Sequence, residues 1–257
     1  MLMTIPLLTA ILFATLYPLC FWIHFKDPLK NNFHRFHLGF ALFVAGVATV
    51  GLGILNLSSL ITIVSILWLS AFLAITAFYW KKEYPNAAIV SLICILGGIV
   101  FVLVENHFMG STGRIFFSEI LGGLILASTT YAMNLGHGYL NVHGLPIHHL
   151  RRATYVMGAF LILRLVWDLV SFLTTTVIYQ GDLIGLFEFV MTLDGFLILV
   201  AILFGTILPL IGTYFVLGTL KVKSTQSATG ILYVLLSAVL LGDLTYRYYL
   251  LKFGIAL

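Results

Sequence analysis

Residues 87–104 read AAIVSLICILGGIVFVLV, eighteen positions without a charged side chain. A helix needs about 20 apolar residues to cross the hydrocarbon core of a bilayer. Working outward from this run, similar stretches lie at about 3–24, 37–56, 59–80, 115–137, 152–178, 186–217 and 227–250. The chain has 257 residues, 61% of them hydrophobic and 9% charged, with a mean hydropathy of +1.11. A soluble domain carries about 25% charged residues and could not hide this much apolar surface. The composition therefore predicts an all-α fold. It is a polytopic membrane helix bundle of about eight transmembrane helices, forming one integral membrane domain over 1–257. No soluble domain fits between the runs. The first run has neither a basic leader nor a small-residue cleavage site, so it is expected to stay as a helix. Cys20 and Cys94 lie inside apolar runs, without metal or disulfide spacing.

The basic residues give a topology. Lys26, Lys30, Arg35, Lys81, Lys82, Arg151, Arg152, Lys221 and Lys223 fall on one side, and only Arg114 and Lys252 on the other. Basic loops stay cytoplasmic, so both termini are expected outside, as an even number of helices requires. The expected location is a bacterial inner (cytoplasmic) membrane, with lipid as the first partner. The net charge of +4 is spread over short loops, and no nucleic acid partner is expected.

That topology sorts the titratable groups. Glu105, Glu119, Asp168, Glu188, Asp194 and Asp243 map to the outer half or edge of their helices. An ionised carboxylate in mid-bilayer costs about 2.5–3.5 kcal/mol on an insertion scale. Arg164 with Asp168, and Asp243 with Arg247, stand four apart and share a helix face. Glu119 and Asp194 have no local partner and are expected to face a common interior. Two readings stand side by side: a proton path or quinone pocket opening outward, and structural ion pairing with groups that water reaches.

Seven of the eight histidines map to the cytoplasmic face. A b-type heme needs two imidazoles from different helices at one depth, and His24, His37 and His137 end or begin helices there. The alternative is interfacial histidines bonded to loop carbonyls or lipid phosphates. Gly39, Gly46 and Gly53, spaced by seven, put a smooth groove below His37 for a neighbouring helix or a flat ring. His143, His148 and His149 follow turn signals and are expected in a basic docking loop with Arg151 and Arg152. Adjacent His148 and His149 are expected to point apart. No phosphate loop, GxSxG or HExxH occurs, so nothing supports catalysis by the chain alone.

The last run, ILYVLLSAVLLGDLTYRYYLLK (231–252), resembles the final helix of the quinol-interacting membrane anchors of molybdopterin oxidoreductases, the DMSO- and polysulfide-reductase type. That resemblance implies eight helices with outer termini and an outer-half quinol site at Asp243 and Arg247. Glu119 and Asp194 are added to that site by topology alone. The segment GHGYL (136–140) resembles a GHWYL-like motif of uncharacterised bacterial membrane proteins, with Gly138 in place of its tryptophan. The leading expectation is a membrane subunit of an electron-transfer complex. It would bind quinone, with heme b as a second candidate cofactor, and anchor partner subunits. The rival is a small-solute or ion transporter, suited by the intramembrane acids and by Pro209 in a glycine-rich span. A structural or assembly protein is the third.

Overall fold

A computed structural model describes residues 3–29, 32–110, 112–142 and 145–257. His143 lies outside the described residues. Eight helical stretches are long and apolar enough to cross a membrane, so the chain is an all-α polytopic bundle. The contacts divide it into two compact units, Met1–Thr112 and Gly113–Leu257, where the sequence alone offers no boundary.

Unit 1 is a four-span bundle. Helix α1 (Thr4–Leu16) runs into a tighter 3₁₀ stretch, Tyr17–His24, where Pro18 removes a backbone donor. It is followed by α2 (Phe33–Ile54), α3 (Ser59–Tyr79) and α4 (Ala87–Phe108). Ser58 and Asn86 cap α3 and α4 through their side chains. Helix α1 packs on α2 and α4, and α3 closes the bundle between them. On α2 the buried stripe is Leu38, Ala41, Ala45, Ala48 and Leu52. That i, i+3/i+4 pattern of small residues lets helices approach closely where lipid supplies no hydrophobic drive. The glycines face elsewhere: a side chain at Gly46 or Gly53 would meet nothing within 4 Å.

Unit 2 begins with α5 (Gly113–Asn141) and α6 (His148–Thr174). The expected run to 178 then breaks. Strands β1 (Thr176–Tyr179) and β2 (Asp182–Gly185) form an antiparallel hairpin, Thr176 opposite Gly185. Three consecutive threonines, then Val177 and Ile178, favour extended backbone. Gln180 and Gly181, both at positive φ, make the two-residue turn. A short helix α7 (Leu186–Val190) follows. The expected seventh span also starts later than residue 186, because Thr192 bonds back to the Phe189 carbonyl and accepts from Gly195 N–H, closing a turn. The span itself is α8 (Leu197–Ile202), a π turn at Leu203–Ile207 and α9 (Leu208–Lys221). Pro209 cannot donate to the carbonyl of Gly205, which explains the widened turn. Helix α10 (Thr225–Phe253) completes the unit and packs most extensively on α5 and α9.

Large apolar side chains stand exposed along these helices, among them Phe43, Leu173 and Tyr214. Lipid tails are the solvent that accepts them. A smaller apolar cluster, with Phe189, Val190, Ile198, Tyr249 and Ile255, closes one end of unit 2.

Candidate functional site: a buried charge cluster in unit 2

Five charged side chains meet inside unit 2: Glu119, Arg164, Asp168, Asp243 and Arg247, none more than 6% exposed. Helix geometry brings them to one level. Glu119 lies six residues after the start of α5, Asp168 six before the end of α6, and Arg247 six before the end of α10. At the helical rise, six residues are about 9 Å.

Arg247 is the centre of one half. Its Nε donates to Asp243 Oδ2 at 2.9 Å, one turn earlier on α10, and its Nη2 reaches Asp243 Oδ1 at 3.4 Å. Its Nη1 donates to Glu119 Oε2 across to α5. Arg164 holds the other half. Its Nε lies 3.3 Å from Asp168 Oδ1, and its Nη1 donates to the Ser118 carbonyl at 3.1 Å. Its guanidinium also stacks 3.9 Å from the centre of the Tyr246 ring. Asp168 Oδ2 accepts hydroxyl hydrogen bonds from Thr206 and Tyr246, each at 2.9 Å. Ser118 donates to the Leu257 carbonyl. The cluster therefore ties all four spans of unit 2 together.

Glycines make the geometry possible. A Cβ at Gly242 would run into the backbone of Gly205, so only this glycine pair lets α10 lie against the π turn that presents Thr206. A Cβ at Gly122 would stand 2.8 Å from Asp243 Oδ1 and 3.8 Å from Arg164 Nη1. Beside these residues runs a crevice of about 10 Å³, lined by Gly122, Arg164, Gly205, Asp243 and Tyr246. That is room for about one water molecule.

The charges do not balance. Among the described residues the cluster holds three carboxylates and two guanidiniums. A lone uncompensated charge in a low-dielectric interior costs several kcal/mol. Binding one proton removes it. The three carboxyls are not equivalent. Asp243 takes two donors from Arg247, and Asp168 takes two hydroxyl donors beside Arg164. Glu119 shares an arginine that Asp243 already engages twice.

The i, i+4 pairs expected from the sequence form, and Glu119 joins them. Asp194 does not. It sits in the turn before α8, 47% exposed, 3.6 Å from Lys252 and bonded to the Tyr179 hydroxyl at 3.1 Å. Thr206, Tyr246, Ser118 and the Gly205–Gly242 contact were not foreseen. Tyr246 is three residues from Asp243, and Thr206 three before Pro209, which is the only trace they leave in sequence.

The histidines disperse. His37 is buried in unit 1, its Nδ1 sharing a 2.6 Å hydrogen bond with the Tyr17 hydroxyl and its ring stacked on Phe33 and Tyr17. His34 donates from Nε2 to the Tyr79 carbonyl at 2.9 Å. It shares the buried face of α2 with His37, because that helix starts early. His24 is also buried in unit 1. His137 belongs to unit 2, exposed on α5, with Nδ1 3.0 Å from the Tyr233 hydroxyl. The docking loop is corrected: His148, His149, Arg151 and Arg152 lie on the first turns of α6, not in a loop. Pro146, with φ preset for a turn, accepts from His149 N–H and starts the helix early. His148 and His149 do not point apart, since their ring centres are 4.2 Å from each other.

No protein-family model, curated protein or solved structure matches this chain. The site is read from its own residues.

Proposed function

We propose that this multi-pass membrane protein is a proton-coupled transporter of a small solute or ion, with Glu119 as the group that takes up and releases the proton. The carrying observation is the odd carboxylate: among the described residues, three acids and two arginines meet in this cluster inside the membrane-spanning bundle. Buried ionisable groups in a bilayer are expensive, and proton relays are among their main uses. Release of the Glu119 proton adds a negative charge beside Arg247 and weakens that arginine's hold on Asp243. The π turn carrying Thr206 is a deformable element next to the same cluster. A change of charge at Glu119 thus acts on Arg247 and Asp243, and so on α5 and α10 together. Location in a bacterial cytoplasmic membrane, with both ends outside, belongs to this proposal and rests on the asymmetry of basic residues.

The expected quinone or heme role, and with it the anchoring of partner subunits, is the second reading. The crevice at the cluster is about 10 Å³, room for a water or a proton but for neither a quinone ring nor a solute, so what it supports at the cluster is the proton step.

The test is reconstitution into vesicles containing a pH dye, with an imposed membrane potential. Wild type is expected to move protons, alone or with an added solute. Glu119→Gln should fold, since it resembles the protonated acid, and should lose that flux. A carbodiimide, which attacks protonated buried carboxyls, should label Glu119 in peptide mass spectra. Unchanged flux in Glu119→Gln, with no label at Glu119, rejects the proposal. A b-type heme spectrum that depends on His37, or extracted quinone, moves the protein to the electron-transfer reading.

A further inference from the structure

The contacts of the charge cluster fall into two groups. Glu119, Arg247 and Asp243 form one; Arg164, Asp168, Thr206 and Tyr246 form the other. The first holds two carboxylates against one guanidinium, so the odd proton belongs to it and is shared by that coupled pair of acids. The second is balanced. Asp243 and Tyr246, one from each group, stand three residues apart on one face of α10. Both line the crevice of about 10 Å³, together with Arg164, Gly122 and Gly205.

This crevice is built for a water. Its volume is about that of one water-sized probe, and a buried water needs about two to four polar partners. Arg164 is 2% exposed, its Nε faces Asp168 and its Nη1 is given to Ser118. Among the described residues nothing accepts from its Nη2. Asp243 offers Oδ1, whose bond from Arg247 Nη2 is long at 3.4 Å. Tyr246 gives its hydroxyl proton to Asp168 Oδ2, and Thr206 gives its own to the same oxygen. With both protons committed, the Tyr246 oxygen is left as an acceptor. Gly122 keeps the space open, since a Cβ there would lie 2.8 Å from Asp243 Oδ1 and 3.8 Å from Arg164 Nη1. The Arg164 guanidinium on the wall disfavours a metal cation in the same place.

We propose that one water binds in this crevice and that the Tyr246 hydroxyl relays a proton from Asp243 to Asp168. The water accepts from Arg164 Nη2 and links Asp243 Oδ1 to the Tyr246 oxygen. Asp243 gives its proton to the water, the water gives one to the Tyr246 oxygen, and Tyr246 gives its own to Asp168 Oδ2. As many O–H bonds form as break, and the water and the tyrosine end neutral, as they began. Asp168 becomes neutral and loosens its hold on Thr206, and with it on the π turn. A proton taken up at Glu119 thereby reaches the seventh span. The relay rests on the proposed proton uptake at Glu119; the water does not.

Infrared difference spectra between acid and alkaline hydrated films, in ordinary and heavy-oxygen water, test the water. The vesicle assay with carbodiimide labelling tests the relay. Wild type should show the stretching band of a buried water that shifts with the oxygen isotope. Gly122→Ala, which puts a methyl group in the crevice, should remove that band. Tyr246→Phe keeps the ring beside Arg164 and lacks the hydroxyl. It should slow proton flux about a hundredfold, within the range of a positioned proton-transfer group, while carbodiimide still labels Glu119. Replacing Tyr246 by fluorotyrosine keeps the hydroxyl and makes it more acidic. That should change the flux at an unchanged unfolding temperature, which a merely structural tyrosine would not do. Wild-type flux in Tyr246→Phe, equal flux with fluorotyrosine, or a water band that survives Gly122→Ala overturns the proposal. Failure of the transporter reading looks different: Glu119→Gln then keeps its flux and Glu119 stays unlabelled, while the water band persists.

Discussion

The two units bury polar groups in different ways. In unit 1 the hydrogen bonds of polar side chains link helices pairwise: His34 donates to the Tyr79 carbonyl, His37 shares a bond with the Tyr17 hydroxyl and Trp68 donates to the Ile93 carbonyl, while Ser65 returns to its own helix. In unit 2 five charges and two hydroxyls form two adjoining groups, Glu119–Arg247–Asp243 and Arg164–Asp168–Thr206–Tyr246, which together link four spans. A single bond can be lost without disturbing its neighbours. A network of charges in a low-dielectric interior rises or falls as a whole, because every unpaired member is costly. On the proposed function, the site that responds to one proton belongs to unit 2.

The contrast is broken most severely at Arg247. Arg247→Met strips Glu119 and Asp243 of their shared partner, and a buried pair that loses one member costs about 3–5 kcal/mol. Thermal unfolding in detergent should shift down accordingly. A shift no larger than that of a unit 1 hydrogen-bond deletion would mean that water already solvates the cluster. Gly242→Val is next. Its side chain must push α10 from Gly205, separating Tyr246 and Thr206 from Asp168, and overpacking of this kind costs about 1–3 kcal/mol. The measurement is again the unfolding temperature, with the proton flux of the vesicle assay lost at temperatures where the fold persists.

How much of this was legible beforehand depends on how local the cause is. The eight spans follow from apolar runs, and the Arg164–Asp168 and Asp243–Arg247 pairs follow from a spacing of four. Each needs only one helix. The meeting of Glu119 with Arg247 needs the packing of α5 on α10, 128 residues apart in sequence, and depth in the membrane was enough to suggest it. Depth alone also suggested Asp194, and there it failed: the Thr192 turn and the hairpin lift that residue out to water. The hairpin itself was hidden because Val177 and Ile178 extend an apolar run, and hydropathy does not separate β-branched strand from helix. Turn signals at Gly138 and Gly144–Pro146 placed His148 and Arg151 in a loop, although the Pro146 carbonyl accepts from His149 N–H at the start of α6. The division into two units left no trace in composition, because both halves are equally apolar.

A smaller effect sharpens the contrast from the other side. His37→Phe keeps the stacked ring between Tyr17 and Phe33 but deletes the 2.6 Å bond to the Tyr17 hydroxyl. The loss should be about 1 kcal/mol, the ordinary worth of one hydrogen bond. It should appear in the unfolding temperature and leave vesicle proton flux unchanged. A change in flux would join unit 1 to the proton site.

The smallest effect is expected at the rim of the site. Lys252 stands 3.6 Å from Asp194, the two side chains being 39% and 47% exposed, and its ammonium also lies over the rings of Tyr248 and Phe253. An exposed ion pair is worth about 0–1 kcal/mol and is screened by salt. Lys252→Ala should therefore move the unfolding temperature little, and the difference should vanish as ionic strength rises. Asp194 is nevertheless one bond from the interior: its backbone carbonyl accepts from the Tyr249 hydroxyl at 2.5 Å, two residues from Arg247 on α10. If Lys252→Ala costs as much as a buried pair, or alters proton flux, that bond transmits the surface charge to the cluster. Asp194 would then return to the group of acids from which its exposure removed it. A small, salt-sensitive loss leaves the boundary of the site at Tyr246 and Arg247.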